Sequence, residues 1–139
     1  MLLRMAHICL SAADLTATER FYCSVLGFKK VFDFIRNNQV VGFYLEVSPH
    51  SYIEVFQQDR IDPEAMCPIR HFCLETDDIE QVRLKLLAGG YEATQKTLGV
   101  DQSWQMWTTD PGGVRIEFHQ YTDRSAQVTH KDCVLDGAG

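Results

Sequence analysis

The sequence carries one arrangement of residues twice, and that repeat limits the fold more than any single segment does. His7 precedes Glu54 by 47 residues, and His71 precedes Glu117 by 46. His7 stands 20 residues before Gly27, and His71 stands 19 before Gly90. Cys9 and Cys73 each follow their histidine by two residues. Separate spacings that agree within one residue mark two copies of one module, so the elements are predicted in pairs.

In the first copy, residues 4–11 alternate as a strand does, and Asp14 offers an N-cap for a helix through Phe21, Tyr22, Val25 and Leu26. Gly27 supplies the stop, and residues 28–36 form the next strand. Asn37-Asn38 turns the chain into residues 39–47, and a fourth strand follows at 52–57. The second copy repeats this order. Residues 69–76 are a strand, Asp77 or Asp78 is a cap, and a helix carries Ile79, Val82, Leu86 and Leu87 to Gly89-Gly90. Strands are then predicted at 91–98, 104–109 and 114–121, the last two joined by a turn at Asp110-Pro111-Gly112-Gly113. Residues 59–67, with Pro63 and the adjacent Pro68, read as the linker. After Tyr121 the periodicity stops, and residues 123–139 read as a loosely ordered tail.

A chain of 139 residues suits one compact domain, here residues 1–122, with module 1 at about 1–60 and module 2 at about 66–122. A formal charge of −6 without any basic cluster argues against nucleic acid or an anionic membrane surface as partner. No apolar run reaches the roughly 18 residues that a transmembrane helix needs. The opening Met-Leu-Leu-Arg-Met-Ala-His lacks a charged region followed by an apolar stretch, so no signal peptide is expected. Five cysteines form an odd set without a CxxC pair, which predicts reduced thiols in a cytoplasmic protein.

Side chains on a strand alternate faces, so parity decides what the repeated residues share. Met5, His7, Cys9 and Ser11 oppose Ala6, Ile8 and Leu10. Tyr52, Glu54, Phe56 and Gln58 oppose Ile53, Val55 and Gln57. Arg115, Glu117, His119 and Tyr121 oppose Val114, Ile116 and Phe118. The apolar sets pack under the helices and leave the titratable residues on the other face. One strand histidine is more often a hydrogen-bonded rim residue than a ligand. Two imidazoles and two carboxylates at matched positions instead predict a divalent-metal site at His7, Glu54, His71 and Glu117, with open positions for water or substrate.

Three segments then resemble the vicinal-oxygen-chelate superfamily, which includes glyoxalase I, extradiol dioxygenases, methylmalonyl-CoA epimerase and bleomycin- and fosfomycin-resistance proteins. They are H-x-x-L-x-x-x-D-L followed by F-Y-x-x-V-L-G-F (His7 to Phe28), Y-I-E-V-F (52–56), and D-P-G-G-V-R-I-E-F (110–118). The resemblance covers about residues 4–121. It implies an α+β fold of two βαβββ modules forming a curved mixed-sheet cup around the metal, with helices on the outer face, usually as a homodimer. In glyoxalase I-like members the ligands are a His from each first strand and a Glu from each fourth, the positions of His7, Glu54, His71 and Glu117.

On that resemblance the chain is expected to be a metal-dependent lyase or isomerase of the lactoylglutathione lyase type. It would act on a small α-oxo compound or its thiol adduct by proton transfer through an enediolate. Glu117 is the expected base and Glu54 its pseudo-symmetric partner. The metal is nickel, zinc, cobalt, manganese or iron, since imidazole and carboxylate serve all of them. Substrate contacts are expected from Ser11, Phe56, Gln58, Trp104 and Arg115. Ser11 stands where glyoxalase I has an Arg for a glutathione carboxylate, and a hydroxyl cannot replace that charge-assisted bond. Two alternatives stay open. One is an Fe(II) extradiol-type dioxygenase with His7, His71 and Glu117, although no histidine lies between His71 and His119 where ring cleavage needs one. The other is a resistance-type binding or thiol-transfer protein using the same cup.

Overall fold

The computed structural model describes residues 1, 3–60, 62, 65 and 67–135; Pro63 of the linker and the end of the tail lie outside them. The chain divides into two compact units. Unit 1 is Met1–Met66 with Asp110–Val114, and unit 2 is Cys67–Thr109 with Arg115–Gly139.

Unit 1 runs β1 (His7–Ala12), α1 (Leu15–Glu19) with a π-helical continuation (Arg20–Val25), β2 (Lys29–Arg36), β3 (Gln39–Ser48) and β4 (Ser51–Gln57). Its four strands lie in the order β1-β4-β3-β2, with β1 parallel to β4 and the other pairs antiparallel. Asp14 caps α1 by accepting from the Ala17 amide at 3.0 Å, as its sequence position predicts. The helix then widens, because the Leu26 amide bonds the Phe21 carbonyl five residues back. That turn holds Phe21 and Tyr22 fully buried over Leu10, Ala12, Phe43, Leu45, Ile53 and Val55. Asn37 and Asn38 both adopt positive φ (52° and 61°), the geometry of a two-residue hairpin turn.

Unit 2 repeats the order with β5 (Phe72–Glu75), α2 (Ile79–Ala88), β6 (Thr97–Leu98), β7 (Trp104–Thr109) and β8 (Arg115–Gln120), followed by α3 (Ala126–Thr129). Its strand order is β5-β8-β7-β6, again with the first strand parallel to the last. Asp78 is the cap of α2, accepting from the Gln81 amide at 3.0 Å. The core is Ile79 and Leu86 against Met106, Thr108, Ile116 and Phe118. Both units are therefore open four-stranded βαβββ modules of the predicted α+β kind.

The strand expected over residues 91–98 shortens to Thr97–Leu98. Thr94 explains this. Its amide reaches the Trp107 carbonyl, but its hydroxyl accepts from the Trp107 amide and its carbonyl accepts from Arg83. Side-chain bonds thus replace half of the ladder. Within the segment read as a tail, the Ala126 amide bonds the Asp101 carbonyl at 2.8 Å and Ser125 is buried against Ser103. Among the described residues no helix is long and apolar enough to cross a membrane.

Candidate functional site

In unit 1 the strand register places a row of polar groups on the face away from the core. Cys9 is the neighbour of Glu54 across β1–β4, and Glu54 is the neighbour of Tyr44 across β3–β4. His7, two residues before Cys9, brings Nε2 to 3.9 Å from Glu54 Oε1. Its other ring nitrogen, Nδ1, lies 3.2 Å from the Tyr44 hydroxyl, so that hydrogen bond orients the ring. Burial, together with the hydrogen bond to Glu54 and its charge, pushes the Cys9 thiol up, which makes it a spacer rather than a nucleophile.

The same face of unit 1 is carpeted with aromatic rings. Phe32 stacks on Tyr44 at 4.8 Å, Tyr44 on Tyr52 at 5.1 Å, and Phe34 on Phe56 at 4.5 Å. Gly42 makes room for this, because a Cβ there would meet the Phe56 ring at 3.0 Å and the Val55 carbonyl. Ser11 donates to Gln58 Oε1 at 3.2 Å, so the two polar residues expected near a substrate are paired with each other.

Unit 2 repeats the row in register. Cys73 neighbours Glu117 across β5–β8, and Glu117 neighbours Trp107 across β7–β8. His71, just before β5, brings Nε2 to 3.1 Å from Glu117 Oε2, and its ring meets Trp107 edge-on at 4.7 Å. Here the cluster is denser than sequence reasoning anticipates. His119 Nε2 lies 2.7 Å from Glu117 Oε1, and its Nδ1 is 4.0 Å from Asp101 Oδ2. A carboxylate only accepts, so His119 donates. Burial pushes the Asp101 carboxyl up, but hydrogen bonds from Gln127 and Ser103 and the nearby His119 outweigh it and hold it low. Burial, and next the charge of Glu117, push the Cys73 thiol up to about 12.

Arg115 lies on this face with its guanidinium 4.6 Å from the Trp107 ring centre. Trp104 does not belong there. It shares parity with Met106 and pairs with Gln120, so it faces the helix side, where Lys96 sits 4.8 Å from its ring. The indole on the polar face is Trp107. Parity applied to β7 locates it, whereas aromatic character alone does not distinguish the two. His119 was visible as a neighbour of Glu117 on one face, but its burial was not, because that depends on Asp101 and the segment beyond β8.

Each unit thus places a His–Glu pair on the face opposite its core, and unit 2 adds His119 to its pair. Nitrogen and oxygen donors of this kind fit a borderline divalent ion. The family model described as Glyoxalase/Bleomycin resistance protein/Dioxygenase superfamily matches residues 4–118. The chain belongs to this superfamily. Among solved structures, a glyoxalase family protein from Enterococcus faecalis is 23% identical, with a TM-score of 0.72 over 84% of this chain and 96% of that one. A lactoylglutathione lyase from Agrobacterium tumefaciens is 21% identical, with a TM-score of 0.63 over 84% and 92%. An antibiotic binding protein from a Streptomyces species is 16% identical, with a TM-score of 0.70 over 87% and 98%. At these identities the likeness is one of fold. No curated protein matches the chain.

Proposed function

We propose that this superfamily member is a metal-dependent lyase or isomerase that moves a proton between adjacent carbons of a small α-oxo compound or its thiol adduct. One observation carries the reading. Both units present a His–Glu pair, His7–Glu54 and His71–Glu117, at equivalent register positions on the face opposite the core. His7 and Glu54, like His71 and Glu117, would supply ligands to a divalent ion. The ion would supply Lewis acidity, drawing charge onto the substrate oxygens and making the neighbouring C–H more acidic.

The chain's own residues then divide the remaining work. Glu117 takes the proton from one carbon and returns it to the next, as a general base and acid must. His119, donating to Oε1, and His71, facing Oε2, fix the plane of that carboxylate. Tyr44 orients His7 in the other module. Ser11, where the resemblance implies an Arg, donates to Gln58, and this neutral pair offers a glutathione carboxylate no charge-assisted bond. The substrate is therefore better sought among α-oxo compounds with an apolar or aromatic body.

The aromatic face of unit 1 favours a second reading, a binding protein for planar aromatic molecules. The two separate on one assay. Purified chain loaded with nickel, cobalt or zinc is given the methylglyoxal–glutathione hemithioacetal and phenylglyoxal adducts of small thiols. Turnover abolished by Glu117→Gln supports the lyase. An ion bound without turnover of any of them sinks the lyase and leaves the binding protein. No ion bound at neutral pH removes the site.

A further inference from the structure

Glu117 offers its two oxygens to two different partners, Oε2 to His71 and Oε1 to His119. On the His119 side a third donor is at hand. Ligand atoms of Cys73, Glu117 and His119 all lie within 4.8 Å of one another. We propose that unit 2 by itself holds a divalent cation at Cys73, Glu117 and His119, a sulfur-bearing set suited to zinc or cobalt rather than magnesium or calcium. This goes beyond the four-ligand reading above, because it draws on one module only and adds a thiolate.

The backbone brings the three together without any loop movement. Cys73 and Glu117 are Cα neighbours across the parallel pair β5–β8, and His119 follows Glu117 by two residues on the same face. Two donors at roughly 2.0–2.3 Å from one ion lie no more than about 4.5 Å apart, so the observed spread closes with small side-chain rotations. The side chains of Glu117 and His119 are only 11% and 13% exposed, while Cys73 is exposed and leaves the ion a path of entry. Asp101, held by Gln127 and the Ser103 amide, stands behind the His119 ring and would orient it as a carboxylate orients a ligating imidazole. Binding needs no redox step: the sulfur–metal bond forms as the thiol proton passes to solvent, and the His119 Nε2 proton relocates through solvent to Nδ1, which faces Asp101, so that the His119–Glu117 hydrogen bond gives way to two metal bonds. Sulfur and imidazole donors together favour borderline ions, while magnesium and calcium demand oxygen.

The test uses the full chain, stripped with a chelator and titrated with cobalt(II) while its near-ultraviolet spectrum is followed. A thiolate-to-cobalt charge-transfer band should grow to saturation and be displaced by zinc. Cys73→Ser should abolish the band, and Cys73→Ser and His119→Phe should each weaken cobalt binding by more than the roughly 10–100-fold that loss of an outer partner causes. The double variant His7→Ala/Glu54→Gln should keep the band, because the sulfur that produces it belongs to unit 2. A wild-type cobalt complex without the band overturns the proposal, and that result needs no variant to fold. If such a complex is lost in His7→Ala/Glu54→Gln, the four-ligand reading stands while this one falls. No cobalt bound at all overturns both.

Discussion

His119 donates a 2.7 Å hydrogen bond to one oxygen of Glu117 while His71 approaches the other to 3.1 Å. Glu54, the equivalent carboxylate of unit 1, has His7 at 3.9 Å and a side chain that is 20% exposed. A carboxylate fixed on both oxygens keeps its geometry, whereas a looser one spends part of its binding free energy on ordering. Glu117→Gln is therefore expected to weaken zinc binding about tenfold more than Glu54→Gln, a difference of about 1.4 kcal/mol. Isothermal titration of the two variants checks this. Equal losses would mean that the extra contacts of Glu117 do not matter to the ion.

Tyr44 separates orientation from packing. Its hydroxyl holds His7 Nδ1 at 3.2 Å, and its ring is stacked between Phe32 and Tyr52. Tyr44→Phe keeps the stack and removes only the bond that fixes the ring and its tautomer. Metal affinity should fall by roughly tenfold with little change in melting temperature. An unaltered affinity would show that His7 is oriented by other contacts.

Much of this was legible in the sequence because two residue patterns state it twice. The repeat spacings and strand parity locate both modules, both caps and the polar face, since they depend only on periodicity. What escaped depends on tertiary bonds. The strand over 91–98 fails because the Thr94 hydroxyl competes for the Trp107 amide, which no local pattern reports. The density of the unit 2 cluster rests on Asp101, held by Gln127 from a segment without hydrophobic rhythm. The π-helical turn that buries Tyr22 likewise has no signature that distinguishes it from an ordinary helix end.

Gly42 controls the aromatic face. A methyl group there would press on the Val55 carbonyl and on the Phe56 ring, which itself stacks on Phe34. Gly42→Ala should destabilise the chain by about 1–3 kcal/mol, as overpacking does, and should alter the near-ultraviolet circular dichroism of the aromatic cluster. A variant with wild-type melting and spectrum would show that β4 yields without disturbing Phe56.

The buried pair Tyr22–Asp110 gives unit 1 a pH dependence of determined sign. Tyr22 donates to Asp110 Oδ2 at 2.8 Å, while Oδ1 accepts from the Gly112 and Val114 amides. Burial pushes the Asp110 carboxyl above its ordinary value of 3.8, although the Tyr22 hydroxyl and the Val114, Gly112 and Gly113 amides pull it back. Its folded form therefore binds a proton more readily than its unfolded form. The corresponding stability is fully present below the unfolded value and is lost as pH rises through the folded one. Tyr22→Phe removes one donor to the ionised carboxylate and pushes Asp110 higher still. The substitution should destabilise by about 1–3 kcal/mol at neutral pH. The loss should be smaller in acid, at about pH 3, where the folded carboxyl is mostly protonated and asks less of the hydroxyl. Urea unfolding of both proteins at the two pH values measures the difference. A loss that is equal at both, or larger in acid, would mean that Tyr22 acts through its packing against Phe21 and Phe28 rather than through the carboxylate.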